Sequence, residues 1–134
     1  MIDLAIHHGN GAVALKDVAR RQAISEKYLW QVLTPLKTAG LIASTRGAKG
    51  GYTLSRRPSK ITVRDIVTTI EGEDLLVARG GSSEAGDRGE SAAVQSLWKE
   101  LEDKLSRVMD GITLQDLVDR QRAAEEATAP SYAI

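Results

Sequence analysis

Cysteine and phenylalanine are absent, proline occurs three times, and aromatic side chains make up only 4% of the 134 residues. Without a thiol the chain can form no disulfide, offer no thiol nucleophile, build no thiolate metal site and sense no redox change through cysteine. No run approaches the 18 or so consecutive apolar residues of a membrane span, so no membrane segment is expected. The opening stretch MIDLAIHHGNG has neither a basic segment nor a cleavable apolar core. No signal peptide is expected, and a cytoplasmic protein is the default.

Net charge is missing too, because 18 basic and 18 acidic side chains cancel. The cancellation hides a split: residues 1–64 hold 11 basic and 3 acidic side chains, whereas residues 65–134 hold 7 and 15. A basic half suits a polyanion such as nucleic acid, and an acidic remainder keeps the molecule soluble. The length is that of one ordinary domain, and 42% apolar residues suit a globular core.

Leu4, Ala5 and Ile6 end a short apolar stretch that His7, His8, Gly9, Asn10 and Gly11 break, as a helix end and a loop would. Leu15, Val18 and Ala19 then recur at helical spacing up to Ala23 and Ile24. Ser25 is a good N-cap, Glu26 suits the first turn, and Leu29, Val32, Leu33 and Leu36 carry a second helix to Gly40, with Pro35 inside it. Two short helices with a tight turn between them form a helix-turn-helix. Leu41–Thr45 and Tyr52–Ser55 flank Arg46-Gly47-Ala48-Lys49-Gly50-Gly51, which predicts a β-hairpin shaped like a wing, with charge at its tip.

The stretches ITVRDIV at 61–67 and ITLQDLV at 112–118 resemble each other, each with Thr three residues before Asp. Both are helix starts with a capping box rather than copies of a repeated unit. Residues 79–91, RGGSSEAGDRGES, carry Gly, Ser and charge, and predict a mobile connector. Val94, Leu97, Trp98, Leu101, Leu105, Val108 and Met109 then form one apolar stripe on a long helix, and the polar, Ala-rich tail from Arg120 is expected to fray. The units are a DNA-binding domain at 1–72, a flexible loop at 73–91, a dimerisation helix with a short following helix at 92–119, and a polar tail at 120–134.

A recognition helix fits the major groove of double-stranded DNA, and a Gly-rich loop with Arg fits the narrower minor groove. Ser25, Lys27, Tyr28 and Gln31 lie at the N-terminal end of the second helix, where side chains reach phosphates and base edges. Trp30, between them, either contacts sugars or thymine methyls or packs on the wing. Arg46, Gly47, Lys49, Gly50 and Gly51 form the wing's contact set. The Val94–Met109 stripe either packs on its own domain or meets the same helix of a second subunit. The second reading has a functional reason, since one small winged helix contacts few base pairs and operators are usually palindromic.

His7 and His8 cannot ligate one metal as an i, i+4 pair would, and read as loop-edge histidines. Carboxylate pairs such as Glu100 with Asp103 and Glu125 with Glu126 fall on exposed helix faces, where no raised pKa is expected. Ser82, Ser83, Glu84 and Asp87 would bind a hard cation only weakly. No metal site and no enzyme site emerge.

The run AISEKYLWQVLTPLKTAGLIASTRGAKGGYTLSR, then ITVRDIVTTIEG, then LWKELEDKLSRVMDGITLQDLV, resembles the Rrf-two-type transcriptional regulators, the group containing IscR, NsrR and CymR. The likeness spans about residues 2–119 and breaks down at 74–91. It implies a mainly α fold with a small β-hairpin wing, a winged helix-turn-helix followed by a long C-terminal dimerisation helix. It also implies a homodimeric repressor with Ser25, Lys27, Tyr28 and Gln31 on its recognition helix, and with Arg46 and the Gly47–Gly51 turn on its wing.

Three departures stand out. Members begin with a short basic segment and the first half of helix one, so Met1 falls inside that helix. Trp30 takes the place of a polar side chain, often Glu, that helps select bases. Cluster-bearing members carry three cysteines in the loop before the long helix, where this chain has Gly80, Gly86 and Ala92, with Gln95 where some use histidine. No iron–sulfur cluster is therefore expected. The expected function is a sequence-specific DNA-binding regulator, a homodimeric repressor on a palindromic operator. The alternative is a winged-helix module that acts through a protein partner, with weak or conditional DNA binding.

Overall fold

The computed structural model describes residues 1–72 and 92–129. The connector expected at 79–91 lies outside them. Helix α1 (Ile2–Ile6) leads into α2 (Leu15–Gln22) and α3 (Glu26–Thr38), followed by strands β1 (Ile42–Thr45) and β2 (Gly51–Leu54). A single 3-10 turn (Pro58–Lys60) precedes α4 (Val63–Glu71), and α5 (Ala92–Asp110) and α6 (Leu114–Thr128) complete the described chain. Among the described residues the fold is mainly helical with one two-stranded antiparallel hairpin, as the patterning predicts.

Local chemistry explains most element boundaries. The α2 helix closes through Ala23, whose left-handed φ of 53° lets the Ile24 N–H reach the Ala19 carbonyl at 3.1 Å. Two residues later the Ser25 hydroxyl accepts the Tyr28 N–H at 3.1 Å and starts α3. Leu29, Leu33 and Leu36 share the buried face of α3, and with Val18, Ala19, Leu41, Ile42, Leu54, Ile61, Leu114 and Val118 they form one continuous core. Pro35 sits inside α3 without ending it.

The hairpin pairs Ile42 with Leu54 and Thr45 with Gly51, so the five-residue loop 46–50 and Gly51 lie at its far end. The strand end next to the loop is tied down by a third segment, because Val13 and Tyr52 exchange backbone hydrogen bonds at 2.9 and 2.8 Å. That contact explains Gly51, where any side chain would strike the Val13 carbonyl, while at Gly50 it would strike the Thr45 carbonyl.

Both predicted capping boxes are present: Thr62 with Asp65 starts α4, and Thr113 with Asp116 starts α6. Their likeness has a consequence in three dimensions. The two segments lie antiparallel, the Val63 N–H donating to the Ile112 carbonyl and the Leu114 N–H to the Ile61 carbonyl, each at 2.8 Å. One bridge thus launches two helices, and the fully buried Ile61 and Leu114 seal it.

Where the polar composition predicts a fraying tail from Arg120, the described chain runs on in α6. It stays helical to Thr128, since the Thr113 cap nucleates α6 and Gln, Arg, Ala and Glu are good helix formers. The Gln121 amide also donates to Glu125 at 2.8 Å along the exposed face.

Candidate nucleic-acid interface

The outward face of α3 follows from its buried one. With about 100° between successive residues, Lys27, Gln31, Thr34 and Thr38 stand opposite Leu29, Leu33 and Leu36, and all four are exposed. Trp30 flanks this polar ridge on one side and Tyr28 on the other, 56% and 57% exposed. Trp30 is not among the side chains packed on the core or its rim. Ser25 lies at the N-terminal end, its hydroxyl engaged as the cap.

Thr34 escaped the sequence reading, although it lies one helical turn after Trp30 and two after Lys27. Its hydroxyl donates to the Trp30 carbonyl at 2.7 Å.

Arg46, Gly47 and Lys49 occupy the exposed tip of the wing, with Gly50 and Gly51 half-buried behind them. Gly47 has φ of +112°, a conformation that side chains rarely adopt, and its carbonyl accepts the Gly50 N–H at 2.9 Å. Among the described residues, the ion pairs use Arg20, Arg21, Arg64 and Lys104 but not Lys27, Lys37, Arg46 or Lys49. Those four ammonium and guanidinium groups are uncompensated. Phosphate oxygens are their natural counterions.

The buried polar groups serve the scaffold instead. The Asp3 carboxylate receives Nε and Nη2 of Arg21 at 2.9 and 2.8 Å and the Gln22 amide at 3.2 Å, clamping α1 against the end of α2. Hydrogen bonding from Arg21 holds the Asp3 carboxyl below the usual carboxylate range, outweighing the burial that opposes it. His7 Nδ1 donates to the Asp3 carbonyl at 2.8 Å, which caps α1. Among the described residues no group of three or more His, Cys, Asp or Glu side chains is placed to hold a metal ion.

The apolar stripe of α5 is graded across its width. Val108 and Leu97 are 58% and 51% exposed, Leu101 and Val94 both 40%, Trp98 36%, and Leu105 is half-buried. Met109, assigned with them to a partner surface, is buried in its own chain at 9% exposure and leaves that set. It lies on the edge of the stripe that turns inward where α5 meets α4, a junction held by Arg64 and Asp110 at 2.8 Å.

A helix-turn-helix with a polar exposed ridge and a glycine-rich basic wing defines a winged-helix DNA-binding protein. The chain belongs to the Rrf2 family, described as iron-dependent transcriptional regulators, whose profile it matches over residues 1–120. It is 39% identical to the HTH-type transcriptional regulator CymR of Bacillus subtilis, covering 95% of this chain and 87% of that one. It is 36% identical to IscR of Yersinia enterocolitica, covering 95% and 77%. Among solved structures, Bacillus subtilis CymR superposes with a TM-score of 0.69 at 36% identity, covering 89% and 87% of the two chains. IscR of T. potens gives 0.73 at 38%, covering 97% and 83%. The protein is a DNA-binding transcriptional regulator and not an enzyme. Among the described residues no helix is long and apolar enough to cross a membrane.

Proposed function

We propose that the protein is a cytoplasmic homodimeric repressor that binds a palindromic operator without an iron–sulfur cluster. The observation that carries the dimer is where the uncovered hydrophobics lie. Apart from Tyr28 and Trp30, every exposed large hydrophobic among the described residues is on α4 or α5: Ile70, Val94, Leu97, Trp98, Leu101 and Val108. Such a patch on a small domain marks an interaction surface. A self-complementary helix face pairs two copies across a two-fold axis, which sets two recognition helices on two half-sites.

The family's description speaks of iron, and this chain does not fit an iron–sulfur cluster. Cluster iron is held mainly by thiolates, and none of the 134 residues is cysteine. Gly80, Gly86 and Ala92, at the places where cluster-bearing relatives carry cysteines, have no side-chain donor atom. Regulation therefore runs through another ligand, a protein partner or simple abundance.

Selection of bound fragments from a genomic library, followed by salt titration on the enriched duplex, tests the DNA reading. Neutralising six phosphates gives a log–log slope of about −5. Anaerobic incubation with iron and sulfide should leave the protein colourless with unchanged affinity. A stoichiometric brown species would refute the cluster-free reading.

A further inference from the structure

Trp30 is an uncommon side chain to leave 56% exposed in the middle of a recognition helix. The backbone around it is regular helix, with its carbonyl bonded to Thr34 Oγ1 at 2.7 Å. The indole flanks the ridge of Lys27, Gln31 and Thr34, all exposed. We propose that Trp30 reads the 5-methyl group of a thymine in the major groove, an inference that rests on α3 being the recognition helix.

The chemistry selects the base. In a duplex the base faces are stacked, so only their edges are open to a side chain in the groove. Indole offers one N–H donor, no acceptor, and a broad apolar surface. Cytosine presents a donor at that edge, which an indole cannot match. Guanine and adenine present acceptors but no apolar group. Thymine alone sets a methyl group beside the O4 acceptor, so it meets both parts of the indole. A Trp at this place therefore favours thymine where a carboxylate or amide would favour a base with an amino donor.

The test uses the full chain and the duplex it enriches from a genomic library, with each thymine replaced singly by deoxyuridine, which lacks only the methyl group. At one thymine per half-site the replacement should weaken the parent about fourfold, the value of one buried methyl group. The Trp30→Ala variant should bind thymine and deoxyuridine duplexes equally at that position, and Trp30→Phe should keep the preference. Because the side chain is exposed, an unchanged thermal midpoint for Trp30→Ala is expected and shows that folding is intact. If no thymine distinguishes parent from Trp30→Ala, the inference is overturned, including the case in which the variant weakens all duplexes evenly, the mark of sugar contact. If the parent enriches no fragment, the DNA-binding reading of α3 falls and this inference falls with it.

Discussion

Ala23 carries the turn of the helix-turn-helix in a left-handed conformation, the single non-glycine residue with positive φ among those described. An L-side chain pays about 1–2 kcal/mol there, partly offset when glycine's greater freedom in the unfolded chain is counted. Ala23→Gly should therefore stabilise the protein by about 0.5–1 kcal/mol and raise Tm by about 2–4 °C, read by calorimetry. A lower Tm would show that the methyl group has packing that outweighs the strain. Asp3 makes a second test. Its carboxyl is held below the usual range chiefly by Arg21, so the pair contributes fully above the unfolded value of about 3.9 and is lost as pH falls through the lower folded value. Urea midpoints should drop in the parent as the pH is taken below about 4. Asp3→Asn should start lower and follow a flatter acid limb.

Between one helix and the next, the wing is the element most exposed to a single change. Its tip holds Arg46 and Lys49 with no ion pair among the described residues, and Tyr52 just behind the tip is bonded to Val13. Lys49→Ala should lower affinity evenly across sequences and flatten the salt slope by about one unit. Arg46→Ala should also erode preference for narrow-groove steps. Variants that bind the enriched duplex like the parent would remove the wing from the interface. Gly51→Ala should act differently, since a Cβ there collides with the Val13 carbonyl and must displace the hairpin. Loss of DNA binding together with a lower Tm is the expected signature, separable from the charge variants by the Tm alone.

For the molecule in full, the exposed hydrophobics divide into two places, the flanks of α3 and the α4–α5 face. Leu101→Glu sets a charge in the middle of the second. At a two-fold interface this buries two unpaired carboxylates, at a cost of several kcal/mol. In the single chain Leu101 is 40% exposed, so the variant should remain folded. Sedimentation should show a dimeric parent and a monomeric variant with unchanged circular dichroism. A parent that sediments as a monomer at micromolar concentration would contradict the dimer.

Much of this architecture is legible in a one-dimensional reading because its signals act over four residues or fewer. Ser25, Thr62 and Thr113 bond to an amide three residues on, leucines at 29, 33 and 36 mark one face by helical period alone, and the glycines of the wing announce a turn. The lack of cysteine needs no structure at all. The features that escaped depend on residues brought together from afar. The capping boxes are visible separately, but their pairing through Val63 and Ile112 joins segments some fifty residues apart, as does the bond from Arg64 to Asp110 across 46 residues. Nothing in an alanine marks the left-handed turn at Ala23, because its φ is imposed by the closure onto Ala19 and the packing of α3 behind it. Met109 and Val108 are equally apolar neighbours, yet one is buried and the other 58% exposed. Periodicity places a residue on a helix face, but only the neighbouring helix determines which edge of that face is covered.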